Sequence, residues 1–266
     1  MIKASALCLY EPIVEQSRKD RLSWLVKDSQ DMVIESVNGG GKIPEPVADL
    51  ALRLLDADQI VKDVIRDLRM LYVSRRDDFR ISLSGKSRGE KEKIVGLMQD
   101  MYGIVSSVHY NPENETVAGR LSSTSKAQMF ITGKYLEIAV YKRAEEILEK
   151  LAKKHGSTYA IYPNVQVSTK EGKLKNEFDL VLEFGGIFYV IEIKSGKNFR
   201  EFDKYTAIGR EYKIVPGRFL LVDNYLSDAQ ADTVEYFCDY YVSNLSAGSL
   251  EAKLIKMIED DLDGRK

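Results

Sequence analysis

Histidine and cysteine are nearly absent from this chain of 266 residues, which has two of each. His109 and His155 cannot supply a site built on several imidazoles, so any metal here would have to be held by carboxylates. Cys8 and Cys238 stand at opposite ends of the chain and form neither a disulfide framework nor a CxxC knuckle. A reducing compartment is the simpler expectation. No stretch approaches the roughly 18 apolar residues of a membrane span, and the apolar run at the N-terminus is too short for a signal peptide. A cytoplasmic protein without a membrane partner is expected. An excess of one charge is missing too: 39 Lys and Arg stand against 41 Asp and Glu, a formal net charge of −2. That excludes a polybasic tail, and 44% hydrophobic content excludes a disordered acidic segment. A chain of 30.2 kDa buries roughly 70–75% of its unfolded surface, enough for one large core or two modest ones.

What is present reads as two regions, with the polar run Ser122-Ser123-Thr124-Ser125 as the boundary: 1–125 and 126–266. In the first, a helix is expected from Pro12 to about Val37, and a second helical pattern runs from Val47 to Leu71. A strand at Ile81 and Leu83, a Ser/Gly loop, a helix over 89–101, a strand through Ile104, Val105 and Val108, and a return strand over Thr116 to Leu121 complete a small α/β or winged unit. The second region reads as a long helix (about 132–154), three strands (159–168, 177–184, 187–195), a helix (202–212), a strand (218–223) and helices over 229–241 and 250–262. That alternation makes the protein α/β.

The informative segment is the pair of β-rich runs flanking Gly185-Gly186. Glycine supplies the positive φ that a two-residue hairpin loop needs. Such a loop places Asp179 opposite Glu192 and Glu177 opposite Lys194. Because side chains alternate across a strand, Phe178, Leu180, Leu182, Phe184, Ile187, Tyr189, Ile191 and Ile193 make an apolar face that must be core. The other face carries Glu177, Asp179 and Glu183 with Glu192 and Lys194, and Val181, Phe188 and Val190 indicate that it is partly covered. Two carboxylates directly opposed at about 4.5–5.5 Å between Cβ atoms repel. A divalent cation such as Mg²⁺ or Mn²⁺ removes that conflict, and Lys194 beside it could position water or stabilise phosphate charge. The alternative is a solvated face on which Lys194 pairs with Glu177.

A second signal comes from the long helix. At about 100° per residue, Leu136, Val140, Tyr141, Ala144, Ile147, Leu148 and Leu151 share one arc, and Glu137 falls inside it. A carboxylate there needs a cation, a partner or a raised pKa, unless it is solvated on a loose first turn. After the hairpin, Lys194 to Arg218 holds seven basic residues against three acidic ones. Lys197, Arg200, Lys204 and Arg210 are therefore candidates for holding a phosphate backbone, with Tyr205 and Tyr212 available for stacking.

Glu137, Asp179 and Glu192-Ile193-Lys194 together resemble the motif of the PD-(D/E)XK nuclease superfamily: an acid on a first helix, Asp on one strand, Glu-x-Lys on the next. The strings Gly133-Lys134-Tyr135-Leu136-Glu137, Asn176-Glu177-Phe178-Asp179 and Ile191-Glu192-Ile193-Lys194-Ser195 are similar to the nuclease domain of CRISPR ancillary endonucleases that carry an N-terminal CARF sensor. The resemblance covers about 126–245 and implies a restriction-endonuclease-like domain, a mixed sheet flanked by helices. It further implies an endonuclease that hydrolyses DNA or RNA in prokaryotic defence. Asp179, Glu192, Glu137 and the Ile193 backbone carbonyl would be around Mg²⁺ or Mn²⁺, Lys194 would act on the attacking water, and a homodimer is an expectation of the same kind. Phe178 stands where the motif's proline would be.

The first region departs from a sensor. Ser84-Gly85-Lys86-Ser87 lacks a Gly-Gly-Thr-Lys loop, and Arg80 stands where a P-loop would have Gly. Two other functions stay open: a catalytically silent, nuclease-like binding or regulatory module, and nucleic-acid binding through residues 80–121 as a wing.

Overall fold

The computed structural model describes residues 15–27, 29, 31–37, 43–196 and 201–264. Residues 15–22 are helical and end in a tight turn at Ser23–Val26. In chain order there follow β1 (Met32–Val37), α1 (Glu45–Asp56), α2 (Asp58–Val73), β2 (Asp78–Ser82), α3 (Arg88–Gln99), β3 (Val105–Asn111), β4 (Thr116–Leu121) and α4 (Ser125–Met129). Then come α5 (Tyr135–His155), β5 (Tyr159–Thr169), β6 (Leu174–Phe184), β7 (Ile187–Lys194), α6 (Phe202–Glu211), β8 (Phe219–Asp223), α7 (Asp228–Cys238), β9 (Tyr241–Ser243) and α8 (Ser249–Asp263). They gather into two compact units, one of Pro44–Arg143 and one of Met1–Ile43 with Ala144–Lys266.

In the unit Pro44–Arg143, the apolar pattern expected over 47–71 is two helices, because the chain leaves helical geometry at Ala57. The sheet is three-stranded and antiparallel, in the order β2-β4-β3. Phe79, Ile81, Val105, Val117, Ala118 and Leu121 are its buried side chains. The loop that imitates a P-loop ending caps a helix instead: the Ser87 hydroxyl accepts the Glu90 N–H of α3, and the Glu90 carboxylate accepts the Ser87 N–H at 2.7 Å. The polar run 122–125 also holds a cap, with Thr124 Oγ1 accepting the Ala127 N–H at the start of α4. Between α4 and α5, Gly133 at φ 154° makes a kink that delays the long helix to Tyr135.

The other unit is built on a six-stranded mixed sheet in the order β1-β5-β6-β7-β8-β9, flanked by helices. β1 to β7 pair antiparallel, while β7, β8 and β9 run parallel. The helix expected up to Val37 is wrong over its last part, where Met32–Val37 forms β1 against β5. The helix expected to reach Tyr241 stops at Cys238, because Asp239 adopts a left-handed φ of 59° and Tyr241–Ser243 pairs with β8.

The hairpin has the expected register. Leu180 pairs with Ile191, Val181 with Val190 and Phe184 with Ile187 around Gly185 and Gly186, both at positive φ. Leu180, Leu182, Phe184, Tyr189 and Ile191 are at most 1% exposed, as the alternation demands. Phe178 is buried as well but packs in the cluster of Val181 and Val190 rather than with Leu180 and Leu182 as expected, meeting Tyr212 edge-on with ring centroids 5.0 Å apart. The opposite face is covered too: Val181 and Val190 lie in a cluster with Leu25, Tyr205, Ile208 and Leu221, and Phe188 packs on Trp24. Each fully buried side chain of this kind stabilises by roughly 1.5–3 kcal/mol, so both faces anchor β6 and β7 in place.

Candidate active site at the open end of the hairpin

The antiparallel ladder between β6 and β7 ends at Leu180 and Ile191, one pair short of Asp179 and Glu192. β7 continues beyond it, paired with β8 as far as Lys194 and Asp223. In the gap the Asp179 carboxylate replaces the missing backbone acceptor: its Oδ2 takes the Ile193 N–H at 2.7 Å. The splayed strand end therefore has a side-chain clamp. This is where an antiparallel half-sheet meets a parallel one, at the carboxyl ends of β7 and β8, the edge at which open α/β sheets bind ligands.

Lys194 Nζ donates to Glu192 Oε2 at 3.1 Å and lies 3.6 Å from Asp179 Oδ2. Glu192 is 4% exposed, and its other oxygen, Oε1, is buried with no hydrogen-bond partner among the described residues. Burial first, and the Asp179 charge second, push the Glu192 carboxyl up to about 8, against the opposing pull of Lys194 and Lys204. Burial alone would lower the Lys194 ammonium, but the charges of Glu192 and Asp179 outweigh it and hold the ammonium above the ordinary lysine value.

Tyr205 on α6 completes the surroundings. Lys194 Nζ sits 5.9 Å from its ring centroid, and burial raises the Tyr205 hydroxyl. Asp223, 1% exposed, stands beside Lys194 in the β7/β8 register and accepts the Tyr225 N–H at 3.0 Å. Neither was singled out as a neighbour of Lys194 from the sequence, because both reach the site through the parallel crossover from β7 to β8. The Asp that closes the apolar run Phe219–Asp223 was the available signal.

The remaining candidates have other partners. Lys194 does not pair with Glu177, which instead accepts from Gln166 Nε2 at 3.3 Å, its cross-strand neighbour on β5. Glu183 is held by Tyr162 and Arg21. Glu137 lies in the unit Pro44–Arg143 and ion-pairs with Lys134 within its own helical segment. Among the described residues, no group of three or more His, Cys, Asp or Glu is gathered for a metal ion. Lys204 is exposed on α6 and its charge acts on Glu192. Arg210, also exposed, lines a cavity of about 290 Å³ with Lys213, Tyr205, Phe219 and Tyr240. Lys197 and Arg200 lie outside the described residues.

No protein-family model matches the chain, and no curated protein does either. Solved structures do match. Can2 from Sulfobacillus thermosulfidooxidans, in complex with cyclic tetra-adenylate, aligns with a TM-score of 0.58 at 16% identity over 90% of this chain and 58% of its own. This chain shares the fold of Can2. Protein VC1899 from Vibrio cholerae aligns equally well, with a TM-score of 0.58 at 18% identity over 91% of this chain and 60% of its own. The chain thus spans about three fifths of each of these two structures, and the likeness to Can2 and VC1899 is one of fold. No helix among the described residues is long and apolar enough to cross a membrane.

Proposed function

We propose that the protein is a metal-dependent endonuclease that hydrolyses phosphodiester bonds of DNA or RNA. The observation that carries this is the buried, unpartnered Oε1 of Glu192 beside Asp179. Lys194 satisfies only Oε2, a buried carboxyl oxygen left without a partner is expensive, and a divalent cation is a partner that would suit it. Asp179, Glu192 and the Ile193 carbonyl, which shares the strand edge of the clamped Ile193 N–H, are the residues that would hold Mg²⁺ or Mn²⁺. Bound there, the ion would offset phosphate charge and lower the pKa of a water. Glu137, whose carboxylate pairs with Lys134, would complete or orient that set.

Lys194 is the catalytic residue of the chain's own chemistry. Its ammonium, held by Glu192 Oε2 and packed over Tyr205, supplies N–H donors to the attacking water or to the charge that develops on the phosphate. Asp179 keeps the Ile193 backbone still while this happens, so the site is fixed by strands rather than by a loop. Lys204 on α6 is placed to draw a phosphate strand toward that end of the sheet. A role in prokaryotic defence under control of a cyclic oligoadenylate is consistent with the Can2 fold.

The second reading is a silent binding module, in which Asp179 and Glu192 stand together without turnover. Turnover separates the two. Labelled single- and double-stranded DNA and RNA are incubated with Mg²⁺ or Mn²⁺, with and without cyclic tetra-adenylate, and Lys194→Ala serves as control. Cleavage by the wild type that falls about 100-fold or more in the variant supports the nuclease. Absence of cleavage in every arm refutes it.

A further inference from the structure

We propose that the outer face of the sheet β2-β4-β3 is a nucleic-acid contact that grips the sugar-phosphate backbone without reading bases. This rests on the protein acting on nucleic acid, and replaces the general expectation of a wing over residues 80–121 with a defined face of the unit Pro44–Arg143 and a stated mode of contact. Arg80, Ala118 and His109 are neighbours across the three strands, and Asp78, Arg120 and Ser106 form the next row. Phe79, Ile81 and Val117 point to the buried side, so Asp78, Arg80, Arg120 and His109 point outward, all exposed. Arg76, just before β2, is exposed beside them.

These residues line an open cleft of about 690 Å³. The face is concave for structural reasons. Ala118 puts only a methyl at its centre, and β3 bulges between Ser106 and His109, with Ser107 at φ 52°. Gly119 in the same strand is obligatory, because a Cβ there would stand 2.7 Å from the Phe79 ring and 2.8 Å from the Ser106 carbonyl oxygen.

Charge decides the occupant. Three arginines face one acid, Asp78. Arg76 and Arg80 make no ion pair among the described residues. The Arg120–Asp78 pair at 3.1 Å is exposed on both sides, so it holds Arg120 weakly and leaves it available. A face made only for solubility would interleave the two signs. Guanidinium groups are suited to forked contacts with phosphate oxygens, and Arg80 and Arg120, diagonal across β2 and β4, are about 7–8 Å apart at the backbone. Phe79 reaches the lining of the cleft but is only 4% exposed, so its ring is not presented for base stacking, which separates this face from sheets that read single-stranded sequence. With a net charge of −2 the whole chain provides no bulk attraction, so a local cationic cleft is what a backbone contact requires.

The test is binding of labelled mixed-sequence DNA and RNA, single- and double-stranded, by fluorescence anisotropy in EDTA across a salt series. Arg80→Ala is expected to weaken binding about threefold to tenfold on all sequences, and Arg76/Arg80/Arg120→Ala to flatten the log–log salt slope by about 2 to 3, since each phosphate contact contributes about 0.7 to 0.9. Arg88→Ala, an exposed arginine on α3 outside the cleft, should change nothing. Asp78→Asn should tighten binding, an effect that damage to the fold cannot produce. Unchanged affinity and slope in the triple variant, or weaker binding in Asp78→Asn, overturns the proposal, as does absence of wild-type binding. Because EDTA removes catalysis, the outcomes separate: loss of binding in the triple variant without cleavage by the wild type keeps this face and refutes the nuclease, and cleavage with unaltered binding does the reverse.

Discussion

Replacing Glu192 by Gln should abolish a pH dependence of stability in the metal-free protein. In the unfolded chain the Glu192 carboxyl loses its proton near 4.5, whereas in the folded sheet burial and Asp179 keep it protonated up to about 8. Folding therefore takes up a proton between those values, and the stability Glu192 contributes is fully present below about pH 4.5 and is lost as pH rises toward 8. The distance from 4.5 to about 8 corresponds to about 5 kcal/mol, of which about 3 kcal/mol is already lost at pH 7. Gln is neutral throughout, so any packing cost it introduces is constant with pH. Trp24, the single tryptophan, packs on Phe188 at 5.0 Å between ring centroids and reports on the same sheet. Urea unfolding followed by its fluorescence in EDTA at pH 5, 7 and 8.5 gives the wild-type minus variant difference, which is expected to move in favour of Gln by about 3 kcal/mol or more from the lowest pH to the highest. A difference that stays flat within about 0.5 kcal/mol would show that Glu192 is not a buried, uncompensated acid, and the argument for a cation beside it would fall with it.

Mn²⁺ should stabilise the wild type in the same assay by about 3 kcal/mol at 100 times its dissociation constant, and should do so far less in Asp179→Asn or Glu192→Gln; equal stabilisation of all three proteins would place the ion elsewhere. Tyr205→Ala, which empties a position 2% exposed between Phe219, Tyr240 and Lys194, should cost about 3–5 kcal/mol, and a loss under 1 kcal/mol by thermal denaturation would contradict the packing described around Lys194. Gly119→Ala should destabilise the unit Pro44–Arg143 by about 1–3 kcal/mol through its clash with Phe79 and the Ser106 carbonyl, measured by amide hydrogen exchange in β4; unchanged protection would mean that β3 and β4 are spaced more widely than described.

The hairpin was legible because everything that fixes it is local. Gly185-Gly186 sets the turn, period-two alternation sets the faces, and the two together put Asp179, Glu192 and Lys194 at one strand end before any long-range contact is known. What was not legible depends on partners far along the chain. Met32–Val37 carries apolar residues that suit either a continued helix or a strand, and it is a strand because β5, some 130 positions later, offers it an edge and accommodates a bulge between Ile34 and Ser36. The pairing of Lys194 with Glu177 failed for a related reason: the ladder opens before that row, and each residue finds another partner.

The same opening links fold to chemistry. A hairpin paired to its end would set Asp179 against Glu192 with no room between them. Here β7 is held from its other side by β8, so β6 can part from it without loss of order, and Asp179 satisfies the Ile193 N–H that the parting exposes. The carboxylates are thereby kept near each other, on rigid strands, with one oxygen of Glu192 left unsatisfied in the packed sheet. A local sequence conflict that would be a defect in an ordinary hairpin is kept, at the junction of antiparallel and parallel strands, in the place where we propose that a cation binds.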